Sequence, residues 1–371
     1  MTDSLECDDF QLFDPESNFT FTLKWSLSKF KQFYSPVHIY LSLLLCVFGL
    51  LFNTLHILVL TRPRMRTSSV HSILVIIALS DMGTMTSYLI YILRFELAMD
   101  RYGYSYEWAA FLKLHVVLSI GLHALTLYFV VLMAFIRFSA LRIDTSKWLE
   151  KKRALTAALI IFIYVVLLCV PTFLTHKIRN DEIHQLSTPE NRIIKYNIDM
   201  VASCFMIKAN LWLTGIMLKA LPCGLLFWFT LALVSRLNEN QRKREKLVKE
   251  ERRRGDMTTY MLFLMVTVFL LMELPQGIIA ILNALFTSQF HSLVYQNLAD
   301  ILDLFSLINC YVAFLVYVST CSLYRETLWS LFPNFRPIQH RRYWDSSGKS
   351  TQSKILATGT CVLTSQTEEL L

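Results

Sequence analysis

Seven stretches of the chain are apolar over a length that crosses a bilayer: 36–61, 71–94, 107–138, 153–174, 211–237, 256–287 and 293–320. A spanning helix needs roughly 20 mostly apolar residues. In lipid only helices or closed barrels satisfy their own backbone groups. These runs are too long and too continuously apolar for barrel strands, whose side chains alternate. The pattern predicts an all-α membrane protein, a seven-transmembrane helix bundle. The seventh run is the most interrupted, because Asp300 and Asp303 fall inside it. Pro171, Pro222 and Pro275 stand singly in their runs, and no internal repeat is visible. A carrier built from inverted repeats would show two related halves.

Composition agrees with the pattern. Of 371 residues, 54% are hydrophobic and 17% charged, against about 25% charged in soluble domains. That excludes disorder, a disulfide scaffold and an ordinary cytosolic enzyme. No HExxH, GxSxG or paired His/Asp constellation is present, so an enzyme is not expected. Cys46, Cys169, Cys223 and Cys310 lie in apolar runs and read as small hydrophobes. No CxxC pair suggests a metal. The acidic N-terminus has no apolar stretch, so the first span is expected to do the targeting.

The net charge is +8. In a membrane protein that excess reads as an inner-face bias and not as nucleic-acid binding. Connections after runs one, three and five carry seventeen Lys and Arg, and those after runs two and four carry eight. The N-terminus is therefore expected outside and the C-terminus inside, in the plasma membrane. The sequon Asn18-Phe19-Thr20 falls on the expected outer side. The expected division is an outer tail 1–35, a membrane domain 36–333 and a disordered inner tail 334–371.

Polar residues at membrane depth are costly and mark function by default. Asn53 and Asp81 lie mid-span in the first and second runs, Arg137 ends the third in Ala-Phe-Ile-Arg-Phe-Ser-Ala, and Glu273 lies in the sixth. Pro222 and Pro275 each remove a backbone bond and free the carbonyls of Leu218 and Leu271, which makes two hinges. For each polar residue the alternative is an ordinary helix-to-helix hydrogen bond; for Arg137 it is a side chain reaching the headgroups.

These positions resemble the rhodopsin-like G-protein-coupled receptors. Asn53 and Leu79-Ser80-Asp81 stand where that family has its helix-one Asn and helix-two Asp. The resemblance implies a sodium ion near Asp81, with Asn53, Thr126 and Asn309 around it. Arg137 resembles the Arg of the D/E-R-Y triplet that meets the G protein, but Ile136 and Phe138 replace its neighbours. The C-W-x-P motif reads Met272-Glu273-Leu274-Pro275, and N-P-x-x-Y keeps only Tyr317. Tyr324-Arg325-Glu326-Thr327-Leu328 matches the opening of a short amphipathic eighth helix. Most of the family ties helix three to the second outer loop by a disulfide; here Leu112 holds the helix-three position. Cys7 and Cys204 remain outside, and their pairing is open. Glu273-Leu-Pro275-Gln-Gly277 and Asp300-Ile-Leu-Asp303, together with Asn309, are similar to invertebrate receptors related to the myosuppressin receptor, including receptors for FMRFamide-like peptides and a nematode chemoreceptor-like group.

That resemblance implies an amidated Arg-Phe peptide as ligand. A guanidinium calls for carboxylates and a phenyl ring for an aromatic floor. The acids are Asp300, Asp303 and Glu273, the first two three apart on one helix face. The walls are Tyr88, Tyr91, His115, His123, Trp212 and Gln276. For the histidines, internal hydrogen bonding is an equal alternative, and no third residue has zinc spacing. Loop 175–210 would cap the cavity. The inner loop 235–256 would meet a heterotrimeric G protein or anionic lipid, and Ser/Thr in 346–367 would serve arrestin. No cofactor beyond the sodium ion is implied. A small-molecule chemoreceptor of the same fold, or a transporter or channel, is the rival.

Overall fold

The computed structural model describes residues 12–14, 16–66, 68–98, 104–142, 150–184, 192–200, 203–245, 252–287 and 289–332. Cys7, loop residues 246–251 and the tail 334–371 lie outside the described residues. Among the described residues seven helices are long and apolar enough to cross a membrane. They are α1 (Asn18–Leu60), α2 (Ser69–Tyr91) with a π-helical end Ile92–Leu97, α3 (Tyr106–Arg142), α4 (Lys151–Thr175), a composite fifth span, α7 (Arg252–Leu285), and α8 (Gln296–Thr320) entered through a π-helical turn His291–Tyr295. The fifth span joins α5 (Cys204–Trp212), a π-helical stretch Leu213–Ala220 and α6 (Leu221–Glu245).

The first helix departs from expectation. It starts at Asn18, not near residue 36, because Ser17 caps it: the Ser17 hydroxyl accepts from the Phe19 N–H at 3.2 Å. Its 43 residues rise about 64 Å, twice the hydrocarbon thickness of about 30 Å. The extension is fastened to the start of the seventh span. Lys31 Nζ donates to the Gln296 carbonyl at 2.9 Å, and the Leu12 and Phe13 N–H groups donate to Gln289 Oε1 at 2.9 and 3.1 Å. Residues 18–35 are therefore a helical mast and not a loose tail.

The loop between α4 and α5 also carries regular structure. β1 (His176–His184) and β2 (Arg192–Met200) pair antiparallel. Tyr104 and Tyr196 exchange backbone hydrogen bonds of 3.1 and 2.9 Å, which ties β2 to the chain just ahead of α3.

α3 is the central helix, packed on α2, α4 and α6; α2 also packs on α1, α1 on α8, and α7 on α8 and the fifth span. The fifth span and α7 approach closely at Gly215. A Cβ there would stand 2.9 Å from the Ala280 carbonyl oxygen, a backbone atom that cannot step aside. At the opposite end from the hairpin, α9 (Ser322–Ser330) follows Cys321, whose sulfur accepts from the Tyr324 N–H. Tyr324 is fully buried, Leu323 and Leu328 lie against the core, and Trp329 and Phe332 face outward. The amphipathic eighth helix is thus present as expected.

Candidate functional site

Toward the hairpin end, polar groups of α1, α2 and α8 converge. Asp303 is exposed, yet its Oδ2 accepts from the inward-pointing Tyr88 hydroxyl at 3.3 Å. A side chain both inward and accessible lines an open chamber. The same Tyr88 hydroxyl lies 2.9 Å from His38 Nε2. One turn before Asp303, Asp300 has a buried Oδ2 without a hydrogen-bond partner, as has the Tyr34 hydroxyl. Tyr91 donates to Glu96 at 2.7 Å and stacks on His115 at 4.8 Å between ring centroids. His115 Nδ1 meets the Ser87 hydroxyl at 2.7 Å. Asp300, Asp303, Tyr88, Tyr91 and His115 therefore lie along one wall.

Deeper in the bundle the third expected acid has another occupation. Glu273 is 0% exposed; its Oε2 lies 3.2 Å from His123 Nε2, and its Oε1 accepts from the Asn309 amide. Three helices are joined through one carboxylate. Both oxygens are engaged, so Glu273 does not stand free for a ligand, and His123 is its partner instead of a wall residue. Gln276 donates to the Met272 carbonyl at 3.3 Å and accepts from the Ser306 hydroxyl at 3.2 Å. Lys219, in the π-helical stretch of the fifth span, lies within electrostatic reach of Glu273 and Asp303. It was missed in the sequence, although a lysine inside an apolar run is itself the signal.

Trp212 is 47% exposed, and among the described residues no hydrogen bond or ring contact joins it to the Asp303 wall. The residues grouped around Asp81 separate as well. Thr126 donates to Asp81 Oδ1 at 2.8 Å. Asn53 instead donates to the Gly49 and Cys310 carbonyls at 3.0 and 3.1 Å, and Asn309 turns to Glu273. Of the three expected neighbours only Thr126 bonds to Asp81, and the Asn309 Oδ1 is buried without a hydrogen-bond partner.

At the α9 end, Arg137 is buried against the Tyr317 hydroxyl. His56 and His71 stand edge-on to the Tyr317 ring, at 5.7 and 6.0 Å between centroids. The Tyr324 hydroxyl lies 2.8 Å from His56 Nδ1. Burial pushes the Tyr324 hydroxyl up from its ordinary value, which keeps it protonated. Pro222 is buried just past the π-helical stretch, and Pro275 sits exposed within α7. Asn18, at the first turn of α1, is exposed. Cys204 is disulfide-bonded; Cys7 lies outside the described residues.

Two comparisons with known proteins bear on this arrangement. Residues 40–334 match the family model described as serpentine type 7TM GPCR chemoreceptor Srw. The chain is also 30% identical over 352 residues to a protein of Caenorhabditis elegans named G-protein coupled receptor dmsr-1, covering 81% of this chain and 69% of that one.

Proposed function

The chain belongs to the Srw family of serpentine seven-transmembrane G-protein-coupled receptors, and from that premise we propose that it binds an extracellular amidated Arg-Phe-type neuropeptide and activates a heterotrimeric G protein. It is a multi-pass membrane receptor and not an enzyme. The excess of Lys and Arg in the connections at the α9 end orients the N-terminus outward. The chamber then opens to the outside and Arg137 faces the cytosol. Asn18 at the outer tip of α1 is the glycosylation acceptor.

The observation that carries the ligand reading is Asp303, a carboxylate both exposed and inside the bundle, with the unpartnered Asp300 oxygen one turn away. A guanidinium donates to both. Tyr88, Tyr91 and His115 form an aromatic surface beside it for the phenyl ring. The hairpin caps the entrance. Inside, Arg137 and the basic loop after α6 receive the G protein, the Ser/Thr-rich tail serves arrestin when phosphorylated, and α9 rests in the lipid interface.

The test is a panel of amidated Arg-Phe peptides on cells expressing the chain with a promiscuous G protein, read by calcium. A sub-micromolar response, lost in Arg137→Ala with surface expression and peptide binding retained, is the expected result. Silence at confirmed surface expression sinks the peptide reading. The chemoreceptor description of the matching family favours a small-molecule ligand as the second reading, and a response to volatile or soluble small molecules in the same cells would select it.

A further inference from the structure

Lys219, in the π-helical stretch of the fifth span, is a cation at membrane depth whose direction is fixed by its neighbours one turn away on either side. Before it, Gly215 packs on α7: a Cβ there would stand 2.9 Å from the Ala280 carbonyl oxygen. After it, the Cys223 Sγ lies 3.7 Å from the Glu273 carbonyl oxygen, also on α7. Positions 215, 219 and 223 share one helix face, so Lys219 is aimed at α7 between those two contacts. Its charge is felt at Glu273 and Cys223, and across the bundle at Asp303 on α8. The side chain therefore runs inward and not to lipid.

The ammonium is open and unbonded. Lys219 is half-buried. Among the described residues its Nζ takes part in no hydrogen bond or ion pair, and it is not one of the sealed polar atoms, such as Asp300 Oδ2. An unbonded nitrogen that is not sealed borders water-sized space. The acids within its reach do not satisfy it. Both oxygens of Glu273 are engaged, one 3.2 Å from His123 Nε2 and the other by the Asn309 amide. Asp303 is exposed and accepts from Tyr88; it feels the Lys219 charge without forming an ion pair with it. A gap therefore separates an open carboxylate on α8 from an open ammonium on the fifth span. A charged donor kept unbonded at membrane depth is costly and marks function by default.

We propose that the Lys219 ammonium binds the carbonyl oxygen of the peptide's C-terminal carboxamide while Asp303 holds the guanidinium of the preceding arginine. The proposal rests on the peptide reading above and names the residue that selects the amidated end. The charge balance favours a carboxamide over a carboxylate. Asp300, Asp303 and Glu273 set three acids against Lys219 and His123, and a ligand carboxylate would bring a fourth acid into the same space. An amide carbonyl accepts the ammonium N–H without adding charge, and the bond is still charge-assisted. In an Arg-Phe-amide end the guanidinium and the terminal carbonyl belong to adjacent residues, so one end of the ligand spans the gap from α8 to the fifth span.

The test is a double-mutant cycle on cells expressing the full-length chain at matched surface expression, read by calcium. The probes are the most potent Arg-Phe-amide peptide of the panel and its analogue ending in phenethylamide, which lacks only the terminal carboxamide. Loss of a charge-assisted hydrogen bond costs about 10- to 150-fold. The analogue is expected to lose that much potency on the native receptor, and Lys219→Met is expected to lose as much with the amidated peptide. On Lys219→Met the analogue should lose little more, because the bond is already gone. Replacing the peptide's arginine by norleucine should cost the same on both receptors, since that arm meets Asp303. Additive losses of carboxamide and lysine would overturn the proposal. So would a gain in potency on Lys219→Met: a lysine acting on the acids only through space weakens their hold on the guanidinium, and its removal would strengthen it. Should Lys219→Met fail to reach the surface, Lys219→Gln enters the same cycle. A neutral donor makes a bond about half as strong, so the analogue must lose less there than on the native receptor, and an equal loss also overturns the proposal. If no amidated Arg-Phe peptide activates the native receptor, the peptide reading falls and this assignment with it; activation with additive losses removes Lys219 alone.

Discussion

Asp303→Asn isolates the charge at the proposed ligand contact. The carboxylate accepts from the Tyr88 hydroxyl at 3.3 Å, and an Asn Oδ1 accepts that bond equally well. The side chain is exposed to the chamber, so no core packing is disturbed. What disappears is a charge-assisted hydrogen bond to the ligand guanidinium. Such bonds contribute about 1.5–3 kcal/mol, and about 1.4 kcal/mol is tenfold in affinity. Peptide potency is therefore expected to fall about 10- to 150-fold. The assay is a calcium dose–response at matched surface expression, repeated with a peptide whose Arg is replaced by norleucine. On the native receptor the replacement should cost as much as the mutation. On Asp303→Asn it should cost little more, because the pair is already broken. If the two losses simply add, the guanidinium does not meet Asp303, and the ligand assignment of this wall fails.

Glu273 should behave in the opposite manner. Glu273→Ala leaves His123 and Asn309 without their shared partner, and breaking such a buried pair costs about 3–5 kcal/mol; unfolding temperature and surface yield should drop, and ligand affinity of the surviving receptor should hold. Gly215→Ala places a methyl 2.9 Å from the Ala280 carbonyl oxygen and should destabilise by about 1–3 kcal/mol through overpacking, read by thermal unfolding in nanodiscs. Trp212→Ala, at a position 47% exposed and without a hydrogen bond or ring contact to the Asp303 wall, should leave peptide potency unchanged in the calcium assay.

The seven spans are legible because lipid leaves a helix no choice: each must be apolar over some twenty residues, and that is a local property. Other elements depend on less local causes. The mast of α1 mixes Lys24, Lys29 and Lys31 with Trp25 and Phe30, so hydropathy begins the helix too late, and only the Ser17 cap marks its true start. β2 carries a period-two signal in Ile194, Tyr196, Ile198 and Met200, but β1, with its run from Lys177 to Glu182, carries none. Its strand identity comes from pairing with β2.

The three carboxylates of the sixth and seventh spans show where a sequence stops being readable. Asp300, Asp303 and Glu273 are alike as letters: an acid in an apolar run, expected to face a cation. Their roles are assigned by groups far away in the chain. Glu273 is consumed because α3 brings His123 to one oxygen and α8 brings Asn309 to the other. Asp303 meets a donor, Tyr88 from α2, that occupies one oxygen and leaves the side chain open. Asp300 has a buried oxygen with no donor near enough. A carboxylate satisfied inside the protein braces helices, and one left unsatisfied beside open space is available to a ligand. Helix periodicity places Asp300 and Asp303 on one face, but it says nothing of the partners on α2 and α3. Asn309 is a parallel case: its amide N–H goes to Glu273, while its Oδ1 stays buried without a hydrogen-bond partner, and no spacing in the sequence foretells either.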